Sequence, residues 1–205
     1  MFKKILIISI VLHLVSCSIS ENKRNNSSVV TIDILPFSDI SKIVVDSVYN
    51  SLKNVYPNIK LLKSIQLPKH AYYLPRNRYR ADTIIRYLKN ITPENHITIG
   101  LTSKDISFTK GKIPDYGIMG LGWTPGNSCV VSTYRLSKEN KDTQFFKFCL
   151  HELGHTSGLQ HCSNKMCYMR DAEGGNPTKD ETGFCSICKA YLIDKGWNLN
   201  SDYSN

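Results

Sequence analysis

His151-Glu152-Leu153-Gly154-His155-Thr156-Ser157-Gly158-Leu159-Gln160-His161 is the stretch from which the rest of the chain is best read. It follows a segment, from about Asp142, in which Phe146, Cys149, Leu150 and Leu153 recur at helical spacing, so a helix is expected with those residues on its buried side. Side chains four apart on a helix lie one above the other, which puts His151 and His155 on one face. Two imidazoles so placed bind one Zn²⁺, and Glu152, next in sequence, approaches the remaining coordination position as a base rather than a ligand. Gly158 is able to take the positive φ that ends a helix and turns the chain, and His161 then returns as a third ligand. Three neutral imidazoles leave one tetrahedral position open for water, the arrangement of a catalytic rather than a structural zinc.

Cysteines follow at once: Cys162 and Cys167, then, beyond Met169, Cys185 and Cys188. Two pairs of thiolates suggest a second tetrahedral site, closed to substrate and therefore structural. Cys185 and Cys188 stand three apart near the start of a last helix ending before Gly196, so both can point the same way. In an oxidising compartment the alternative is a disulfide between Cys162 and Cys167 or between Cys185 and Cys188; zinc loaded during folding would protect the thiolates, and both readings stay open. Cys129 and Cys149 fall outside both sets and read as buried apolar residues. Met169, taken alone, reads as a core methionine.

The histidine run matches the metzincin zinc signature. With His161-Cys162, Cys167-Tyr168-Met169 and Cys185-Ser186-Ile187-Cys188 it resembles the archaemetzincin family of zinc metallopeptidases, and Val130-Val131-Ser132-Thr133 followed by Arg135-Leu136 is also similar. The specific resemblance covers Gly117 to Leu192; the earlier half matches only in its general α/β plan. It implies a compact metzincin-like fold, a mixed α/β sheet with an active-site helix and a small cysteine-rich C-terminal subdomain. It further implies two zinc ions, one catalytic on His151, His155 and His161 and one structural on Cys162, Cys167, Cys185 and Cys188. Met169 would form the family's Met-turn beneath the histidines, and peptide or protein substrates would be hydrolysed with Glu152 as general base. Two features depart from the pattern: the gap from Met169 to Cys185 is a little shorter than usual, and archaemetzincins are mostly regarded as intracellular. Asp171 occupies a position where some other metzincins carry a tyrosine, so no tyrosine is assigned to the site.

The other end of the chain points to export. Met1-Phe2-Lys3-Lys4 is a cationic head and Ile5 to Val15 an apolar run, the plan of a secretory signal over residues 1–16. The run is well short of the about 20 apolar residues a membrane-spanning helix needs. Leu14-Val15-Ser16-Cys17 resembles a bacterial lipobox, which makes Cys17 the expected lipidation site. Residues 17–28, polar and rich in Asn and Ser, read as a tether, and 29–205 as the peptidase domain. The expected protein is thus an exported, membrane-anchored lipoprotein on the periplasmic or cell-surface face, monomeric, held to the membrane through its lipid.

Between these ends, 205 residues suit one domain, and 41% hydrophobic and 10% aromatic residues suit a real core. The net charge of +9 is spread along the chain, which argues against a nucleic-acid partner. The one dense group, Arg76, Arg78 and Arg80, is expected as a solvated helix start. Strands are expected at Val29–Leu35, Ile59–Ile65, His96–Leu101 and Cys129–Tyr134, with helices at Asp39–Val55, capped by Ser38, and Tyr79–Asn90. Tyr116 to Trp123, rich in glycine, reads as a loose or edge strand able to pair with an extended peptide. His70 and His96 read as isolated residues. Three function classes remain: a tethered zinc peptidase, a zinc-bearing binding protein without hydrolysis, and a disulfide-stapled lipoprotein with an incidental histidine cluster.

Overall fold

The structure, a computed structural model, describes residues 29–199; the signal, Cys17 and the tether lie outside the described residues. In chain order the elements are β1 (Thr31–Pro36), α1 (Lys42–Val55), β2 (Ile59–Leu61), β3 (Tyr72–Tyr73), β4 (Arg78–Arg80), α2 (Ala81–Ile91) and β5 (His96–Thr102). They continue with β6 (Ile106–Lys110), β7 (Ile113–Ile118), β8 (Gly120–Gly122), β9 (Ser128–Ser132), α3 (Lys141–Thr156) and α4 (Ser186–Asp194). Among the described residues no helix is long and apolar enough to cross a membrane.

A five-stranded sheet of order β2-β1-β5-β9-β8 forms the centre, parallel except for β8, which runs antiparallel to β9 at the edge. Its parallel strands are apolar on both faces because both faces are covered. Ile32, Ile34, Ile99, Cys129 and Val131 face α1 and α3, whose Val48, Leu52, Phe145, Leu150 and Leu153 complete that core. Leu35 and Val130 point the other way, onto Ile84, Ile85 and Leu88 of α2. Each isoleucine or leucine so buried contributes about 1.5–3 kcal/mol.

The first helix begins later than its apolar pattern suggests. Ser41, not Ser38, caps α1, its hydroxyl accepting from the Val44 amide. Asp39 is held outside the helix by Thr102 and Ser103, whose hydroxyl and amide donate to its carboxylate at 2.7 and 2.6 Å. Ile43 lies off the buried stripe of α1, which runs through Val45, Val48, Leu52 and Val55, and is 82% exposed. On α3 it is Phe145 that enters the core, while Phe146 is only half-buried, packed edge-on against Tyr168. The strand expected over Ile59–Ile65 shortens to β2, with Ile65 making a separate bridge to Phe37.

A second sheet, of order β3-β4-β6-β7, was not anticipated. Tyr79 and Arg80 belong to β4 and not to the following helix, and the glycine-rich stretch supplies the hairpin arm β7 as well as the edge strand β8. Gly111 turns that hairpin at φ +57°. Of the arginines expected in solvent, Arg76 is exposed, whereas Arg78 is an internal tie, only 11% exposed and lying 3.1 Å from Asp105 and 3.2 Å from Asp115, and Arg80 is partly buried. Arg135 grips Asp105 from the other side with two bonds, at 2.7 and 2.9 Å.

Candidate active site and metal centres

The site is built on the last two turns of α3. The helix ends at Thr156, and Gly158, at φ +107°, turns the chain back so that its amide donates to the His155 carbonyl at 2.8 Å and the Leu159 amide donates to that of Gly154 at 3.0 Å. A side chain at position 158 would be strained by that φ and would also place its Cβ 2.5 Å from the Tyr191 hydroxyl. The turn brings His161 back beside the helix. Ring centroids of His151, His155 and His161 lie 4.5, 4.8 and 5.5 Å apart pairwise, and one nitrogen of each falls within 4.8 Å of the other two.

Backbone carbonyls orient the two helical rings. His151 Nδ1 is 2.7 Å from the Tyr168 carbonyl and His155 Nδ1 is 2.8 Å from that of Leu159. A carbonyl oxygen only accepts, so each Nδ1 carries the proton and each Nε2 presents a lone pair. Burial, and then the neighbouring His155, push the His151 pKa down to about 4; burial likewise lowers His155. Both rings are thereby neutral at ordinary pH, the state a metal needs. His161, on the loop, instead has its Nδ1 3.2 Å from the carboxylate of Asp171.

Glu152 lies between this cluster and the edge of the sheet. It is 6% exposed, and burial pushes its pKa up to about 8. The carboxylate fills the space a side chain on Gly120 would occupy, and Gly122 fits β8 against the Glu152 carbonyl and the Thr156 hydroxyl. A cleft of about 300 Å³ opens over these groups, with Tyr116, Met119, Leu121 and Phe148 among its walls. Met169 is fully buried, its sulphur against Gly154, where a Cβ would come within 2.3 Å of it.

The expected second set also comes together. Cys162, Cys167, Cys185 and Cys188 bring their sulphurs within 4.8 Å of one another. They are free thiols, and the Cys162–Cys185 sulphur separation of 3.7 Å is far from the about 2.05 Å of a disulfide. The Cys185 amide donates to the Cys167 sulphur at 3.3 Å, the kind of bond that stabilises a thiolate. Three imidazoles in one cluster and four sulphurs in the other fit zinc by the chemistry of their donors.

Cys129 and Cys149 are fully buried, as expected of apolar residues. Neither His70 nor His96 lines the cleft. His96 is not isolated, however: its Nδ1 lies 2.6 Å from Asp33 on the adjacent strand. Asp171 is the site residue for which sequence reasoning found no role; its distance from His161 in a loop carries no periodic signal.

Helix, glycine turn and returning histidine realise the metzincin signature in three dimensions, and with the mixed sheet they define the class as zinc metallopeptidase. The model of peptidase family M54 matches residues 25–194, and the chain belongs to that family, the archaemetzincins. It is 31% identical over 172 residues to the archaemetzincin of Halobacterium salinarum, covering 77% of this chain and 96% of that one. To the archaemetzincin of Methanopyrus kandleri it is 32% identical over 154 residues, covering 73% and 86%. Among solved structures, the Archaeoglobus fulgidus archaemetzincin complexed with malonate matches with a TM-score of 0.67 at 28% identity, over 78% of this chain and 99% of that one. The Methanopyrus kandleri structure matches with a TM-score of 0.69 at 26% identity, over 82% and 97%.

Proposed function

We propose that this zinc peptidase hydrolyses peptide bonds with Glu152 as general base, its catalytic zinc held by His151, His155 and His161 and a structural zinc by Cys162, Cys167, Cys185 and Cys188. The observation that carries the reading is the convergence of the three imidazoles within 4.8 Å at the cleft that Glu152 also lines. Zinc bound to the imidazoles supplies Lewis acidity at the scissile carbonyl.

Glu152 takes a proton from the attacking water and returns it to the leaving amine. Burial raises the proton affinity of this carboxylate, which favours the half of the shuttle in which it takes the proton. Met169 acts as the Met-turn, a floor packed against Gly154 that positions the helical histidines without touching substrate. β8 binds the substrate: among the described residues it is paired only with β9, and a peptide laid along its other side in extended form would gain main-chain hydrogen bonds. The four-thiolate site anchors the loop that carries His161 to the start of α4.

Residues 1–17 support the further reading that the signal is removed and Cys17 lipidated, so that the domain over 29–205 acts as a monomer at the membrane surface, outside the cytoplasm. The test is a diverse peptide library incubated with the full chain in detergent, beside Glu152→Gln, with cleavage read by mass spectrometry. Cuts made by the unaltered chain and lost in a variant that keeps its zinc are expected; cleavage retained by Glu152→Gln overturns the role given to that carboxylate.

A further inference from the structure

We propose that Asp171 is the positioning residue of His161, its carboxylate fixing the ring of the third histidine so that Nε2 faces the other two. The proposal rests on the reading of His161 as a zinc ligand.

The three histidines are not held alike. His151 and His155 stand on α3, and main-chain carbonyls, which the fold itself immobilises, orient their rings at 2.7 and 2.8 Å. His161 lies beyond the helix on a loop with its side chain 45% exposed. An imidazole in that setting would sample several rotamers unless its second nitrogen were engaged. Asp171 Oδ2, 3.2 Å from His161 Nδ1, engages it. A carboxylate accepts the Nδ1 proton, leaves the lone pair on Nε2, and makes the ring a stronger donor to a metal through its charge.

Two features show that the pair is built rather than incidental. The Cys162 amide donates to the Met169 carbonyl at 2.7 Å and Cys162 bridges Arg170 in parallel, so the backbone ties together the very residues that flank His161 and Asp171. The carboxylate is itself held: its other oxygen accepts from the Glu173 amide at 2.9 Å, in a turn that Glu173 and Gly174 complete at φ 48° and 84°. Cys162 and Cys167 belong to the four-sulphur cluster, so that cluster secures the same pairing of loops.

The test uses the full chain with Asp171→Asn, Asp171→Ala and His161→Ala. Zinc affinity is measured by competition with a chromophoric chelator, and cobalt loading separates the sites, because only the thiolate site gives sulphur-to-metal charge-transfer absorption. Loss of a carboxylate partner typically weakens metal binding about 10–100-fold, and for this half-exposed pair the lower end is expected for Asp171→Ala at the histidine site. Asp171→Asn should fall between the unaltered protein and Asp171→Ala, since its single amide oxygen can still accept from His161 Nδ1 while the charge and the bond from the Glu173 amide are lost. The cobalt signal of the cysteine site should stay unchanged. An Asp171→Ala affinity within about twofold of the unaltered protein, with His161→Ala losing the metal, overturns the positioning role alone. If Asp171→Ala weakens both sites together, the residue merely holds the loop and the proposal also fails. If His161→Ala itself retains full affinity, the underlying ligand assignment falls instead.

Discussion

Gly120 and Glu152 meet at the edge of the sheet, where a methyl group on Gly120 would stand 2.5 Å from Glu152 Oε1 and 2.6 Å from its Cγ. The absence of a side chain on β8 is thus what leaves the carboxylate its place next to the histidines. Gly120→Ala should displace Glu152 while leaving His151, His155 and His161 untouched. A displacement approaching 1 Å lowers turnover about 10²-fold. Steady-state peptide hydrolysis with zinc counted in the same samples checks this: kcat should fall while metal content stays the same.

Metal removal should expose the cysteines. With zinc in the four-sulphur cluster, Cys162, Cys167, Cys185 and Cys188 should resist a thiol reagent under native conditions and become reactive when a strong chelator strips the metal. Titration of thiols before and after chelation measures it. Paired disulfides would release no new thiols.

Gly158→Ala should destabilise the fold and damage the histidine site together. Its φ of +107° strains any side chain, and the new Cβ would meet the Tyr191 hydroxyl at 2.5 Å. A cost of about 1–3 kcal/mol follows from the backbone alone. Removing the hydroxyl with Tyr191→Phe relieves the collision but not the strain, so thermal unfolding of the double variant should recover only part of the loss.

Stability should fall as pH rises across a defined window because of Glu181. This carboxyl is 4% exposed, and burial raises its pKa from 4.5 to about 7 against the opposing pull of Lys147. Between those two values the unfolded chain has released the proton while the folded chain keeps it. The folded state therefore binds more protons there, and its stability declines with pH from about 4.5 until the folded group ionises at about 7. Urea unfolding of Glu181→Gln should match the unaltered protein near the acid end of the window and exceed it above the neutral end.

The pattern of legible and illegible features follows the distance over which each is encoded. His151 and His155 were readable because four residues make about one helical turn, and Gly158 because a helix stop needs a residue tolerant of positive φ. The central strands were readable because apolar β-branched runs have few alternatives. The second sheet was not: β3 and β4 are two and three residues long, and β4 is held by Arg78 to Asp105 and Asp115, partners far along the chain. Short runs of Arg and Tyr carry no apolar alternation from which a strand could be read.

By itself the sequence determined the donor atoms, the helix that spaces two of the histidines, the turn that returns the third, and the apolar strands on which the helix lies. These depend on local periodicity and on the conformational range of single residues. Tertiary structure alone decided that Gly120 makes room for Glu152, that Asp171 meets His161, and that Arg78 ties β4 to Asp105 and Asp115. Each of those encounters requires loops to close on one another, and which loops close is set by the packing of the whole sheet and its helices.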